Sequence, residues 1–437
     1  MLSILSKNNT RSNLINFLFS LIPMSFIAGN LVLNLNILLL IVTSIIFYGK
    51  EIFRINLYFL DKIILVFFLF LFFTGIYNFI DLHFFTDQKY SLSINVSVLI
   101  KSIVYVRYLA LYFVLRYLVE AKIINFKIFF LSCSIFSLFV SFDIFYQFIT
   151  GKDIFGYEPS LGRKFSGPFG KEYIAGGYLQ RFSLFTFFLY PLFYKPSNKK
   201  FILFSSLILF FIFLIALILS GNRMPLILFL FVTVLFFLFE KDIRKYLIFY
   251  LITTIVICFT LAGSSNLIKS NFSNFYTQVK SISKIITTKE IKSSGMNSYF
   301  HEFKTFHGTW LMNKYIGGGV KSFRINCWKR QNINVGERKT CNTHPHNYYL
   351  EILTDFGLIG FFILLIIFSN ALYISLIKKY FFSDLKFNNI IIPFMFLFLV
   401  EVFPIKSTGS FLTTSNATFI FLTLAITVAL SRNRDLN

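Results

Sequence analysis

The residues best suited to chemistry in this chain lie in the stretch Thr343–Gly360, which reads THPHNYYLEILTDFGLIG. The whole chain has only five histidines, and two of them, His344 and His346, stand one residue apart here. The apolar residues that follow recur at helical spacing, and Asn347 is a favourable N-cap for that helix. His346 is therefore predicted at a helix N-terminus, where anions bind readily and a histidine can act as a base. The alternative is a structural role, which we expect for His344.

Basic residues in two other segments suggest an anion site. The segment Gly151–Arg181 is rich in glycine and carries Lys152 and Arg163. Glycine lets the backbone approach a ligand closely, and arginine binds phosphate through two hydrogen bonds. The tight turn SGNRMP, Ser220–Pro225, carries Arg223 directly before an apolar run. The alternatives are a solvated loop for the first segment and an interfacial arginine for the second.

Charged residues also occur inside apolar segments, where each costs about 2.5–3.5 kcal/mol on insertion scales and so marks function or pairing. They are Lys101, Arg107, Asp143, Arg181 and Glu401. Asp143 shares a helix face with Gln147, four residues on. Two interpretations stay open: contact with a substrate in a polar cavity, or ion pairing such as that of Asp143 with Lys101 or Arg181. We expect Arg107 to lie deepest.

Cys327 and Cys341 lie fourteen residues apart in the polar region before His346. Outside the cytoplasm a disulfide is the simple interpretation, and closing a loop of this length contributes about 3 kcal/mol in the chain-entropy model. Zinc held by both cysteines with His344 and His346 is the alternative, but the spacing matches no standard zinc pattern. We therefore predict a disulfide and no metal site.

The composition indicates which elements position these residues. Hydrophobic residues make up 56% of the chain and charged residues 14%. Apolar runs of about 18 or more residues recur, which predicts membrane-spanning helices, because barrel strands alternate over only about 10 residues. The net charge of +23 would suit nucleic acid, but cytoplasmic loops of membrane proteins collect lysine and arginine, which is the simpler explanation.

The fold class is therefore predicted as an all-α polytopic membrane protein, with a single membrane domain over residues 1–437. We predict twelve spans, at residues 13–29, 31–48, 63–80, 97–118, 127–149, 174–194, 201–219, 225–239, 246–263, 356–377, 388–405 and 414–430. With both termini inside, every inside segment carries two or three basic residues, as the positive-inside rule requires. Two longer segments, 150–173 and 264–355, then lie outside, and the second carries the HPHN motif.

Segments at four places, in order, resemble the O-antigen ligase and O-antigen polymerase superfamily. They read QFITGKDIFG with GRKFSGPFGKEYIAGGYL, SGNRMPLILFL, HPHNYYLEILTDFGLIG, and FPIKSTGSFLTTSNATF. The resemblance carries the family's essential arginine over to Arg223 and its essential histidine to His346, while Arg163 matches a further basic position. The turn departs from the family pattern at Asn222 and Met224.

The resemblance implies a membrane glycosyltransferase of the GT-C type, active in lipopolysaccharide biosynthesis at the periplasmic face of the bacterial inner membrane. Its donor would be a glycan on undecaprenyl diphosphate, and its acceptor a sugar hydroxyl of the lipid A-core. Transfer would be inverting, without metal, cofactor or nucleic acid. Four basic side chains would stabilise the diphosphate leaving group: Lys152, Arg163, Arg181 and Arg223. His346 would activate the acceptor, supported by Asn347.

Two other functions are compatible with parts of the same pattern. A polymerase that joins two lipid-linked repeat units has the same motifs and is the runner-up. A glycolipid flippase needs a polar path through both leaflets. The ionisable residues concentrate in the outer half of the spans, with only Arg107 deeper, which favours chemistry at one face.

Overall fold

A computed structural model gives the structure of most of the chain. It describes residues 2–84, 92–159, 164–194, 199–239, 244–264, 268–270, 273, 276–277, 280, 298–330, 341–382, 389–406 and 409–432. Arg163 lies outside these residues. The helices, in chain order, are α1 (Leu2–Ser20), α2 (Ile22–Ala28), α3 (Asn30–Ile52), α4 (Phe59–Phe84), α5 (Leu92–Tyr105), α6 (Arg107–Glu120), α7 (Phe126–Thr150), α8 (Ala175–Phe182), α9 (Leu184–Phe193), α10 (Lys199–Leu219), α11 (Arg223–Phe239), α12 (Leu247–Ser264), α13 (Ser298–Leu311), α14 (Phe323–Lys329), α15 (Tyr348–Leu372), α16 (Ile391–Glu401) and α17 (Thr414–Arg432).

The described part of the chain is helical, without a β-strand, and much of it is long and apolar enough to cross a membrane. Seven such stretches occur among the described residues: Asn30–Ile52, Phe59–Ile80, Val96–Glu120, Phe126–Thr150, Arg244–Gly263, Tyr348–Phe381 and Thr414–Arg432. Three apolar helices are shorter: Phe204–Leu219, Arg223–Phe239 and Ile391–Glu401. The described residues therefore confirm the prediction of an all-helical polytopic membrane protein.

Three predicted spans fall on pairs of shorter helices, and one of them, 97–118, is divided between α5 and α6 at Val106. The span 13–29 covers the end of α1 and all of α2, which begins next to Pro23. Proline is accommodated in the first turn of a helix, but it removes a hydrogen bond from the interior. The span 174–194 is divided between α8 and α9 at Ser183.

Helix α17 lies at the centre of the bundle, and 83% of its apolar window is buried, the largest share among the seven stretches. It packs along α6, where the ring of Tyr108 stacks on that of Phe421 at 5.8 Å. Asn416 stands in its first turn and Arg432 at its end. These two residues are about 24 Å apart along the helix axis, at 1.5 Å per residue.

A buried ionic cluster surrounds Asp61 at the Arg432 end of α17. Asp61 Oδ2 lies 2.7 Å from Arg116 Nη1 and 3.1 Å from Arg432 Nη1, and Asp61 is fully buried. The Tyr112 hydroxyl donates to Asp61 Oδ1 at 2.7 Å. Arg116 Nε lies 2.7 Å from Glu120 Oε1. We call Asp61, Tyr112, Arg116, Glu120 and Arg432 the Asp61 cluster; it joins α4, α6 and α17.

Helix α15 is interrupted at Gly357, where φ is 62° and ψ is −166°. The chain segment 314–319 replaces the missing helical hydrogen bonds. Four backbone N–H groups donate across the break: Gly318 to Thr354 O (3.1 Å), Gly319 to Asp355 O (2.8 Å), Leu358 to Lys314 O (2.9 Å) and Ile359 to Tyr315 O (3.1 Å). A Cβ on Gly357 would lie 2.2 Å from Tyr315 O, so glycine is needed both for the positive φ and for the close approach. The helical spacing of the apolar residues does not predict this break.

Candidate functional site

Asn347 fixes the turn that carries His346. Its side-chain oxygen accepts hydrogen bonds from the backbone N–H groups two and three residues on, at 2.9 and 3.2 Å, so it is the N-cap of α15, as the sequence predicts. Its side-chain nitrogen donates to the carbonyls of Pro404 (2.8 Å) and Lys406 (3.2 Å). His346 has a φ of 53°, which is uncommon for a residue with a side chain. The cap therefore joins the histidine, the start of α15 and the segment after α16.

His346 lines a pocket of about 530 Å³. The other lining residues are Arg324, Trp328, Cys341, Asn342 and Thr343. Arg324 and Trp328 lie one turn apart on α14, and both are exposed. We call this cavity the Trp328 pocket. It presents an imidazole, a guanidinium group and an indole face to any molecule inside it.

His344 packs against His346 outside the lining of this pocket. The two ring centroids are 4.5 Å apart, edge to face, and Thr343 Oγ1 lies 2.9 Å from His344 Nδ1. Burial and, to a smaller extent, the neighbouring His346, Arg324 and Lys321 lower the pKa of His344 to about 4. His344 is therefore neutral at pH 7. Its position fits the predicted structural role.

A disulfide joins Cys327 to Cys341, with 5.6 Å between the Cα atoms. Arg330 braces it: its Nε donates to the Cys327 carbonyl at 3.1 Å, and its Nη2 lies 3.7 Å from each sulfur. Because both sulfurs are in the disulfide, neither is a thiolate that can bind zinc. The bridge connects α14 to the segment that leads into His346.

A second buried ionic cluster surrounds Glu401 at the Asn416 end of α17. Glu401 Oε1 lies 2.6 Å from Arg181 Nη2 and 2.6 Å from Lys406 Nζ. The Tyr348 hydroxyl donates to the same oxygen at 2.8 Å, and Arg181 Nη2 donates to Asn416 Oδ1 at 2.6 Å. We call Arg181, Tyr348, Glu401, Lys406 and Asn416 the Glu401 cluster. It joins α8, α15, α16 and α17 two residues beyond His346.

The Glu401 cluster carries more positive than negative charge. Arg181 and Lys406 face a single carboxylate, and all three residues are at most 8% exposed. Burial lowers the pKa of Lys406 to about 8, against the opposing effect of Glu401. A buried charge without a counter-charge is unfavourable, so this arrangement suits an anion that binds beside it.

The ion pairs considered for Asp143 do not form in the structure. Asp143 pairs with neither Lys101 nor Arg181; its Oδ1 accepts a hydrogen bond from the Ile154 N–H at 2.9 Å. Arg181 pairs with Glu401, and Lys101 lies within electrostatic range of Arg324 and Asp355. These partners come from helices far apart in the sequence, which a helical face alone does not reveal.

Gln147 and Lys152 belong to the first loop. Gln147 Nε2 donates to Tyr157 O at 3.0 Å, and its Oε1 accepts from the Gly167 N–H at 3.0 Å, so it braces the loop from inside. Lys152 Nζ lies 3.8 Å from Glu158 Oε1, and both side chains are well exposed. Such an exposed pair contributes little stability, so Lys152 can exchange its partner for a ligand.

Arg223 is the first residue of α11, and its turn packs against α8. A Cβ on Gly176 of α8 would lie 2.6 Å from Asn222 Cβ. Arg181 follows five residues later on the same helix, about 7.5 Å along its axis. The structure thus brings the turn with Arg223 within roughly two helical turns of the Glu401 cluster.

Two carboxylates on α15, for which no function is predicted from the sequence, hold the loops around His346. Glu351 accepts hydrogen bonds from Ser410 Oγ and the Phe411 N–H, both at 2.6 Å. Asp355 accepts from Ser322 Oγ and the N–H groups of residues 321 and 323, at 2.8 to 3.0 Å. Both are buried, and with Asn347 they recur every four residues along one helix face. This four-residue spacing is the feature of the sequence from which their role can be predicted.

Comparison with known proteins agrees with the motifs. No curated protein matches the chain. Residues 208–365 match the family model described as O-antigen ligase. The match includes Arg223, the disulfide and His346, but ends before Glu401. The resemblance to the O-antigen ligase superfamily is therefore confirmed over residues 208–365.

Proposed function

We propose that this protein transfers a glycan from undecaprenyl diphosphate to a sugar hydroxyl of the lipid A-core. The observation that carries the proposal is the surplus of positive charge in the Glu401 cluster. The turn with Arg223 packs on the same helix as Arg181, and Tyr348 of the cluster is two residues beyond His346. The family match supports the same class of reaction, because it covers both Arg223 and His346. The chain is then a glycosyltransferase of the GT-C type.

The diphosphate binds on the Arg223 side of the site. Arg223 and Arg181 offer guanidinium groups, which match phosphate oxygens bidentately, and Lys406 adds a third positive charge. Lys152 and Arg163 of the first loop complete the predicted set. The negative charge that develops on the leaving diphosphate is neutralised by these side chains, as in other sites that stabilise a leaving group electrostatically.

His346 acts on the acceptor as the general base. The acceptor oxygen gives its proton to the imidazole and forms a bond to the anomeric carbon of the donor glycan. The bond from that carbon to the diphosphate oxygen breaks, and undecaprenyl diphosphate leaves with the electron pair. Attack from the face opposite the leaving group inverts the anomeric configuration. The step requires no metal and no cofactor, because cationic side chains supply the charge.

The proposed topology places this chemistry at the periplasmic face of the bacterial inner membrane. All twelve predicted spans belong to one domain over residues 1–437, with both termini in the cytoplasm. The segments 150–173 and 264–355 are the periplasmic loops. The polyprenyl chain enters between helices from the lipid, where many side chains of α3 and α12 are exposed and apolar.

Purified protein with an undecaprenyl-diphosphate-linked glycan and lipid A-core tests the proposal. His346→Ala and Arg223→Ala are each expected to lower the transfer rate by at least about 10²-fold, the usual effect of losing a general base or a charge-stabilising group. Arg244→Ala is the matched control, since Arg244 follows the opposite end of α11. Near-normal transfer by either site variant would refute its assigned role.

The product distinguishes the ligase from the polymerase. A ligase forms glycan on the lipid A-core, whereas a polymerase joins two donor molecules and needs no core. If the wild-type protein extends lipid-linked glycans and leaves the core unmodified, the polymerase replaces the ligase.

A further inference from the structure

The Trp328 pocket contains features that the transfer of a glycan does not itself require. An indole, a guanidinium group and a disulfide stand around a cavity that also contains His346. We propose that this pocket binds an anionic sugar of the acceptor, with the sugar ring on Trp328 and its charged substituent on Arg324. The inference rests on the proposed function, because it takes the molecule beside His346 to be the acceptor.

Trp328 presents an open aromatic surface. Trp328 is 54% exposed, whereas the other tryptophan, Trp310, donates its indole N–H to the Lys314 carbonyl at 3.2 Å. An exposed indole offers a flat apolar face together with one N–H donor. The C–H face of a sugar ring fits such a surface, and a neighbouring hydroxyl can accept from the N–H.

The charge around Arg324 favours an anionic ligand. Lys321 lies within electrostatic range of Arg324, Lys101 and Arg107, and Lys101 lies within range of Arg324 as well. Burial lowers the pKa of Lys321, and the Arg324 charge lowers it further. The nearby carboxylates, Glu351 and Asp355, already accept hydrogen bonds from the loops. Arg324 is exposed and lies on the pocket side, where it can bind a phosphate or carboxylate bidentately.

The disulfide makes the pocket a preformed site. Cys341 lines the cavity, and Cys327 directly precedes Trp328 on α14. Asp355 holds the start of the same helix through residues 321–323. A binding site whose walls are already fixed loses little entropy when a ligand enters. The indole and the guanidinium group thus stand at a set distance from His346.

The position of His346 identifies the ligand as the acceptor and not the donor. A general base must reach the proton it removes, and that proton belongs to the acceptor hydroxyl. The donor diphosphate has its own cations around Arg181 and Arg223. The acceptor therefore lies in the Trp328 pocket, and the diphosphate of the donor lies at the Glu401 cluster. The anomeric carbon of the donor lies between them.

Tryptophan fluorescence tests the pocket without any transfer reaction. The chain has only two tryptophans, so Trp310→Phe leaves Trp328 as the single reporter. Glucose 6-phosphate is expected to change its emission saturably, with an affinity at least about tenfold above that of glucose or inorganic phosphate. Arg324→Gln in this background should weaken binding about tenfold or more, as loss of a charge-assisted hydrogen bond does. Lys329→Gln, the matched control on the same helix, should not.

The outcomes of this titration are decisive in both directions. Equal affinity for inorganic phosphate and glucose 6-phosphate would show an anion site without sugar recognition and overturn the proposal. If glucose binds as tightly as glucose 6-phosphate, Arg324 does not bind the charged substituent and the proposal is overturned. Unchanged emission with all three probes would exclude binding on Trp328.

Transfer kinetics separate this inference from the proposed function. Trp328→Ala is expected to raise the KM for the acceptor about tenfold or more, with the donor KM unchanged, and Trp328→Phe to restore most of the affinity. If transfer proceeds but Trp328→Ala and Arg324→Gln leave the acceptor KM unchanged, the pocket proposal fails alone. If the pocket binds glucose 6-phosphate but no glycan is transferred, the proposed function fails alone.

Discussion

The two buried ionic clusters at the ends of α17 differ in their balance of charge. The Asp61 cluster contains two carboxylates, of Asp61 and Glu120, and two guanidinium groups, of Arg116 and Arg432. The Glu401 cluster contains one carboxylate for the two cations that contact it. Bringing charge out of water is unfavourable unless the partners neutralise each other. The first cluster meets that condition by itself, and the second does not.

The difference separates a structural brace from a binding site built of the same residue types. The charges within the Asp61 cluster balance, so its role is to hold α4, α6 and α17 together. Its cations are arginines, which stay charged at every accessible pH. The Glu401 cluster needs a further negative charge and includes a lysine, which titrates. Four variants or ligands test this contrast.

The largest effect is expected from Arg116→Met. The variant leaves two carboxylates with Arg432 alone, and breaking a buried ion pair in this way destabilises proteins by about 3–5 kcal/mol. The thermal unfolding midpoint in detergent should fall accordingly. The control is Lys122→Met, because Lys122 is an exposed residue in the turn after α6. A midpoint equal to wild type would show that the Asp61 cluster is no brace.

Arg181→Met should reduce the transfer rate strongly and the stability only slightly. Glu401 and Lys406 remain as a neutral pair, so the unfolding midpoint should change less than in Arg116→Met. The transfer rate should fall about 10²–10³-fold, because a cation beside the diphosphate is lost. The rate is measured at saturating donor and acceptor. If stability falls as much as in Arg116→Met while transfer by the surviving protein is normal, Arg181 is structural and the contrast disappears.

Binding of a prenyl diphosphate should stabilise the protein through the Glu401 cluster. At 100 times its dissociation constant, a ligand that binds only the folded state adds about 2.7 kcal/mol. Farnesyl diphosphate should therefore raise the unfolding midpoint, farnesol should not, and Arg181→Met should reduce the response. Equal stabilisation by farnesol would mean that the lipid chain, and not the diphosphate, is recognised.

The smallest effect is a dependence on alkaline pH. Because burial lowers the pKa of Lys406 to about 8, the transfer rate should fall several-fold as the pH rises through that value. In the unfolded chain this lysine keeps its proton up to about pH 10.5. The free energy of unfolding therefore rises with pH between about 8 and 10.5, so unfolding does not explain the loss of transfer activity. Lys406→Arg should flatten the profile. The same decline in that variant would assign the titration to another group.

The sequence predicts the local features of the site better than the contacts between distant segments. The cap at Asn347 and the position of His346 follow from residues next to each other. The partner of Arg181 is 220 residues away, and hydropathy reveals that a helix exists but not which helices are its neighbours. The break at Gly357 gave no signal either, because glycine is common in membrane helices.

The break at Gly357 has a consequence for variation of the chain. The segment 314–319 is attached to α15 through backbone groups, with four N–H donors and four carbonyls. Backbone attachment is largely blind to side-chain identity, so residues such as Lys314 and Tyr315 can be exchanged without undocking the segment. A library randomised at those exposed positions, with Gly357 fixed, should yield folded proteins that differ in the surface of this segment.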